Sequence, residues 1–210
     1  MFSIKIIDAS IFEDDFLFKK EYEELSSYRK AKIDSKTLRK DKNLSLAASV
    51  LLKDLLKNDF QIDEKQLEYR ENEAGKPYIV GFGSVFFSIS HSKNIAACAV
   101  SNSEIGIDIE VIRPVNWDIS QRFFTENEVN FLLNISDSKE KIKNFFRIWT
   151  LKEAYVKCLG TTLASQIQQF DTLLHSALYD FDGFTQLVFR DNERRSKANN
   201  VFVSWFCQKS

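Results

Sequence analysis

Proline is almost missing from this chain, with two in 210 residues. A proline used so sparingly marks a turn whose backbone matters, which singles out Pro77 in Ala74-Gly75-Lys76-Pro77. Cysteine is scarce as well. Cys98, Cys158 and Cys207 are odd in number, far apart and without a Cys-x-x-Cys pairing, which argues against a disulfide framework or a zinc site and fits a reducing compartment. No apolar run approaches the roughly 20 residues needed to span a bilayer, and Met1–Asp15 lacks the basic, apolar and small-residue pattern of a signal peptide. The expectation is a cytoplasmic protein. Net charge is also close to absent, because Lys+Arg 29 against Asp+Glu 30 leaves −1. No global basic field draws the chain to nucleic acid or to an anionic membrane, so any polyanion site must be a local cluster. There is no Walker-type glycine loop, no low-complexity segment and no repeat of solenoid period.

What is present is ordinary soluble-globular composition, with 44% hydrophobic and 28% charged residues. Phenylalanine is plentiful at 19 and is assigned to the core. The length suits one large domain or two small ones. Phe2–Ile7 reads as a strand. Asp14–Lys32 reads as a helix on Phe18, Tyr22, Leu25 and Tyr28, and Ser35–Asn58 as a second. Gln61–Arg70 is a connector and strand leading to the Gly75–Pro77 turn. Val85–Ile89 runs into Ser90-His91-Ser92, and Ile95–Val100 is a further strand. Thr125 followed by Glu128 is a capping box that opens a helix to about Asn134. Asp137 and Glu140 open a long helix that stops at Gly160, a C-cap. After Asp171 the pattern weakens to short strands at Gln186–Phe189 and Val201–Phe206, separated by a polar loop over Asp191–Asn200.

The stretch that organises the rest is Gly106-Ile107-Asp108-Ile109-Glu110. Ile105, Ile107, Ile109 and Val111 alternate with the carboxylates, so this is a strand with its isoleucines in the core. Asp108 and Glu110 leave it on one face. Two anions that close repel unless a cation lies between them, and oxygen-only ligands favour a hard ion such as Mg²⁺. The bland alternative is a half-buried strand with a solvated acidic face. On the long helix, Glu153 and Lys157 are four residues apart and lie together beside the stripe of Phe145, Ile148, Trp149, Tyr155, Val156 and Leu159. Lys152 falls inside that stripe, where a lysine snorkels or meets an anion.

Ser90-His91-Ser92, then Gly106-Ile107-Asp108-Ile109-Glu110, then Trp149-x-x-Lys152-Glu153-Ala154-x-x-Lys157 resembles the signature of the 4′-phosphopantetheinyl transferases. The order and spacing, the preceding Gly75-Lys76-Pro77 turn and the intervening Arg122-Phe123-Phe124-Thr125-x-x-Glu128 are similar to the surfactin-synthetase-activating type. The resemblance covers about Arg29–Leu163. It implies an α+β fold, a pseudo-dimer of two similar halves, here 1–103 and 104–210, with coenzyme A and Mg²⁺ bound between them. It implies transfer of phosphopantetheine from coenzyme A to a serine of an apo acyl or peptidyl carrier protein, releasing 3′,5′-ADP. Carriers of fatty-acid, polyketide and nonribosomal-peptide synthesis all qualify. By residue, Asp108, Glu110 and Glu153 are the implied Mg²⁺ ligands, Glu153 the base for the carrier serine, and Lys157 the cation that holds the pyrophosphate and stabilises the leaving phosphate. Lys152 assists near the same phosphates, Ser90 and His91 bind coenzyme A phosphates, and Gly75, Lys76 and Pro77 pack on the adenine. Arg29, Lys32 and Ser45 match positions that hold the 3′-phosphate. Nucleic acid and membrane are not expected partners, and a monomer is.

Two features depart from the family pattern. Gly160-Thr161-Thr162-Leu163 lacks a second glycine, and one more strand is expected after Val201–Phe206. The competing readings are a non-catalytic coenzyme A-binding relative and a different Mg²⁺-dependent phosphoryl-transfer enzyme or nuclease using the same carboxylates.

Overall fold

The computed structural model describes residues 2–161, 167–168, 170–174, 184–190 and 200–207. Thr162, Leu163 and the Asp191–Asn199 part of the polar loop lie outside the described residues. The chain divides into two compact units, Met1–Ile105 and Gly106–Ser210, each of mixed helix and sheet. Among the described residues no helix is long and apolar enough to cross a membrane.

The first unit holds, in order, β1 (Phe2–Asp8), α1 (Asp15–Glu23), α2 (Ser27–Asp34), α3 (Arg39–Phe60), β2 (Tyr69–Glu71), β3 (Pro77–Ile79), β4 (Phe86–Ser92) and β5 (Ile95–Ser101). β1, β5 and β4 form an antiparallel sheet in that order, while β2 and β3 pair as a separate ribbon. α3 lays Leu46, Leu52, Leu55 and Leu56 into one core with Phe87, Cys98 and Val100 of the sheet. Each such side chain, once buried, contributes about 1.5–3 kcal/mol against the ordering entropy of the chain.

The single helix expected over Asp14–Lys32 is two. The apolar spacing runs on through Leu25 and Tyr28, but Ser26 adopts extended backbone (φ −61°, ψ 159°) and becomes the N-cap of α2. Its own N–H and hydroxyl are drawn away to Glu64, so the helical ladder cannot pass through it. Ser35 likewise closes α2 instead of opening α3, which begins four residues later at Arg39.

The second unit holds β6 (Ile105–Val111), α4 (Asp118–Phe123), α5 (Glu126–Leu133), α6 (Ser138–Leu159), β7 (Phe184–Arg190) and β8 (Asn200–Cys207). Its sheet runs β6-β8-β7, with β7 and β8 antiparallel. The Thr125–Glu128 capping box is formed in both directions at the start of α5. Asp137 caps α6, and Gly160 ends it in left-handed backbone at φ 64°, where a Cβ would be strained. α6 packs across β8, where Thr150 and Ser204 share a buried hydroxyl contact of 2.8 Å. Phe124, Phe145, Phe146 and Ile148 form a further core with Trp149 at its edge.

Candidate active site

Local sequence sets the carboxylate strand. Ile105, Ile107, Ile109 and Val111 are all buried, as the alternation requires. Asp108 is buried too, at 5% exposure, which rules out the solvated acidic face. Gly106 explains how helix and strand meet. A Cβ built there would lie 2.0 Å from the Ala154 carbonyl oxygen and 2.3 Å from the Cys158 nitrogen. Only a residue without a side chain lets β6 approach the α6 backbone so closely. The contact falls next to Glu153 and Lys157, and it sets these two against Asp108 two residues further along the strand.

The consequence is ionic. Lys157 Nζ donates to Asp108 Oδ1 at 2.6 Å. Arg113 grips both oxygens of Glu110, with Nη2 at 3.2 Å from Oε1. Burial pushes the Glu153 carboxyl up to about 7, with Asp108 raising it further, Lys157 opposing and Glu110 adding to the rise. Glu153 therefore senses both strand carboxylates. Among the described residues no group of three His, Cys, Asp or Glu is gathered as a ready-made metal site. The donor chemistry nevertheless fits a hard divalent cation, since three mutually repelling carboxylates offer only oxygen. Arg113 was not among the sequence candidates; its only signal is a cation three residues after Glu110.

Lys152 is a correction. It was expected to assist at phosphates, and it does meet an anion, but that anion is internal. The side chain is 0% exposed, and its ammonium donates to Glu128 at 2.8 Å, to the Ile167 carbonyl at 2.7 Å and to the Phe170 carbonyl at 2.6 Å. All three protons are committed. Burial lowers its pKa while Glu128 raises it. Glu128, also fully buried, completes the network through the Thr125 N–H and the Thr172 N–H and hydroxyl. Lys152 thus ties α6 to α5 and to the backbone of Ile167 and Phe170.

The remaining candidates belong to the first unit. The Gly75–Pro77 turn is built on Asn72, whose side-chain oxygen accepts from the Ala74 and Lys76 N–H groups at 3.0 and 2.9 Å, with Gly75 at φ +81°. Lys76 Nζ reaches Glu104 at 2.5 Å. A cavity of about 250 Å³ opens beside the turn, lined by Lys76, Pro77, Tyr78, Phe82, Phe86 and Glu104 among others. On β4, Ser90 is buried and His91 exposed. On α2, Lys32 pairs with Glu71 at 2.5 Å. Arg29 is only 7% exposed, with its guanidinium against the rings of Tyr69, Phe87 and Tyr28 at 4.8, 5.1 and 5.4 Å. Ser45 is half-buried on α3, where its carbonyl accepts from the Ser49 hydroxyl.

Residues 104–180 match the model of the 4′-phosphopantetheinyl transferase superfamily. The chain is 32% identical over 137 residues to 4′-phosphopantetheinyl transferase Sfp of Bacillus subtilis (strain 168), covering 65% of this chain and 61% of that one. It is 37% identical over 131 residues to the transferase gsp of Aneurinibacillus migulanus, covering 62% and 54%. Over 169 residues it is 30% identical to the transferase ffp of Bacillus subtilis, covering 79% and 75%. The match thus spans less than two thirds of the first two relatives and three quarters of the third. On that third match, together with the site built on β6 and α6, the chain belongs to the 4′-phosphopantetheinyl transferase family.

Proposed function

We propose that the protein transfers the 4′-phosphopantetheine group of coenzyme A to a serine of an apo acyl or peptidyl carrier protein, giving holo-carrier and 3′,5′-ADP. The observation that carries this reading is the Gly106 contact, which sets Glu153 and Lys157 of α6 against Asp108 of β6. The serine oxygen forms a bond to the pantetheine-side phosphorus of coenzyme A as the bond to the second phosphate breaks. The serine proton goes to Glu153. Burial raises that carboxyl to about 7 in the metal-free protein, and a cation among the three carboxylates would favour the ionised form that accepts the proton. Lys157 turns from Asp108 to the departing phosphate and stabilises the charge it gains.

Asp108, Glu110 and Glu153 would hold Mg²⁺. When bound, the ion supplies neutralising charge for the pyrophosphate. Its binding asks Asp108 and Glu110 to exchange their present cations, Lys157 and Arg113, for the metal.

The 1–103 half takes the adenosine side of coenzyme A, and the 104–210 half carries the carboxylates. Gly75, Lys76 and Pro77 pack on the adenine beside the cavity, Ser90 and His91 meet phosphate oxygens, and Arg29, Lys32 and Ser45 take the 3′-phosphate. The protein works as a cytoplasmic monomer. The test is mass spectrometry of a panel of apo-carriers incubated with coenzyme A and Mg²⁺. One phosphopantetheine added to a carrier, dependent on the metal, is the expected result. No modification of any carrier, with coenzyme A left intact, overturns it.

A further inference from the structure

Another buried carboxylate belongs to the first unit. Glu64, in a short 3-10 turn (Glu64–Gln66), is 0% exposed and accepts three hydrogen bonds. They come from the Ser26 N–H at 3.0 Å, the Ser26 hydroxyl at 2.6 Å and the Tyr69 hydroxyl at 2.9 Å. Ser26 is the N-cap of α2, so this carboxylate sits at the positive end of that helix and fixes where it starts. Tyr69 is held at its other end by rings. It stacks on Tyr28 at 4.9 Å and meets Phe87 edge-on at 5.8 Å. Burial raises the Tyr69 phenol strongly, Arg29 opposes this and Glu64 adds to it, so the hydroxyl stays a donor to the carboxylate.

Those rings are the walls around the Arg29 guanidinium. They orient its plane by stacking, and the Tyr69 hydroxyl that donates to Glu64 also feels the guanidinium, which links the carboxylate to Arg29 through one side chain. Nε and Nη2 of Arg29 are buried and have no hydrogen-bond partner among the described residues. Unsatisfied buried donors on a cation are costly unless something fills them. The three hydrogen bonds that Glu64 accepts all come from Ser26 and Tyr69. Had the carboxylate met the guanidinium itself, the pair would be closed and an incoming anion excluded. The arrangement orders the box and leaves the buried Nε and Nη2 without an anionic partner, two donors of the kind that a phosphate accepts side by side.

We infer that Glu64 is a positioning residue for ligand selection: through Ser26 and Tyr69 it holds Arg29 ready for a phosphate monoester on the adenosine ribose. This rests on the coenzyme A reading, and it adds a residue that never touches the ligand. A residue that only supported the fold would affect all adenosine ligands alike. A positioning residue affects only those that carry the monoester.

The experiment is calorimetric binding of coenzyme A and of 3′-dephospho-coenzyme A to the wild-type protein and to two variants. Tyr69→Phe keeps the ring and deletes the hydroxyl that Glu64 holds; Glu64→Gln keeps the shape and deletes the charge. The wild type should prefer coenzyme A. Each variant should lose about tenfold in affinity for coenzyme A, the scale of one hydrogen bond to a charged group, with binding of the dephospho form unchanged. If Glu64→Gln fails to fold, Tyr69→Phe decides alone. An unchanged ratio of the two affinities in the folded variants overturns the inference. So does a wild type that binds both ligands equally and still modifies carriers, and in that case the transferase reading stands. A wild type that binds neither ligand overturns both.

Discussion

The ammonium of Lys157 lies 2.6 Å from Oδ1 of Asp108, so the helix lysine is held by the very carboxylate assigned to the metal. The pair joins a buried acid to a lysine whose side chain keeps 30% of its exposure. Lys157→Ala leaves Asp108 without that partner while Asp108→Ala leaves a lysine that can turn to water. The first should therefore destabilise the metal-free protein, by about 1–3 kcal/mol, and the second by much less. A simple surface pair of Glu153 with Lys157 would give neither asymmetry nor loss. Urea unfolding of both variants and the wild type checks this; a Lys157→Ala midpoint equal to the wild type's would show that the contact carries no stability.

The same lysine separates binding from chemistry. If it stabilises charge on the departing phosphate, Lys157→Ala should lower turnover about a hundredfold or more. Coenzyme A affinity should fall far less, because the interaction strengthens only as the bond breaks. Carrier modification rate against coenzyme A concentration, with binding followed separately by calorimetry, provides the split. Near-wild-type turnover would remove Lys157 from the mechanism.

Gly106 gives the most severe prediction from the smallest change. A single methyl group placed 2.0 Å from a backbone oxygen cannot be absorbed by a side-chain rotation. Gly106→Ala should cost about 3 kcal/mol or more by forcing α6 away from β6, and it should abolish transfer even where the protein still folds. Retained activity with an unshifted thermal midpoint would mean that β6 and α6 do not meet as described.

These two elements and α5 were readable in the sequence because their signals are local. Isoleucine alternation announces β6, the capping box announces α5, and Asp137 with Gly160 brackets α6 to within a residue. The break between α1 and α2 was not readable, since the apolar period passes through it unchanged. It is made by Glu64, which lies 38 residues from Ser26 in the chain. The same holds for the ion pairs. Lys157 with Asp108, Lys76 with Glu104 and Lys32 with Glu71 join residues 49, 28 and 39 apart, and nothing in spacing selects one carboxylate over another. Lys152 was legible as a misplaced cation but not as an internally satisfied one, because its acceptors are two backbone carbonyls and a cap residue.

Lys152 accordingly has a structural forecast. Lys152→Ala leaves Glu128 charged and buried without its cation, and should cost about 3–5 kcal/mol. Coenzyme A affinity of whatever fraction remains folded should match the wild type. A selective loss of coenzyme A binding with stability intact would return Lys152 to the phosphates.

Glu153 yields a prediction in pH. Its carboxyl is raised from an ordinary 4.5 to about 7, first by burial and then by Asp108, so the folded state binds its proton more tightly than the unfolded chain does. The stability this supplies is fully present below the ordinary value and is lost as pH rises through about 7. Metal-free protein should therefore weaken between roughly pH 4.5 and pH 7. Glu153→Gln, which cannot ionise, should flatten that segment of the profile. Mg²⁺ should flatten it too in the wild type, because a cation among the three carboxylates favours the charged form and removes the burial penalty. Urea midpoints across this range, with and without Mg²⁺, make the measurement. A wild-type slope that survives in Glu153→Gln would assign the titration to another group, and a slope indifferent to Mg²⁺ would remove the metal from these carboxylates.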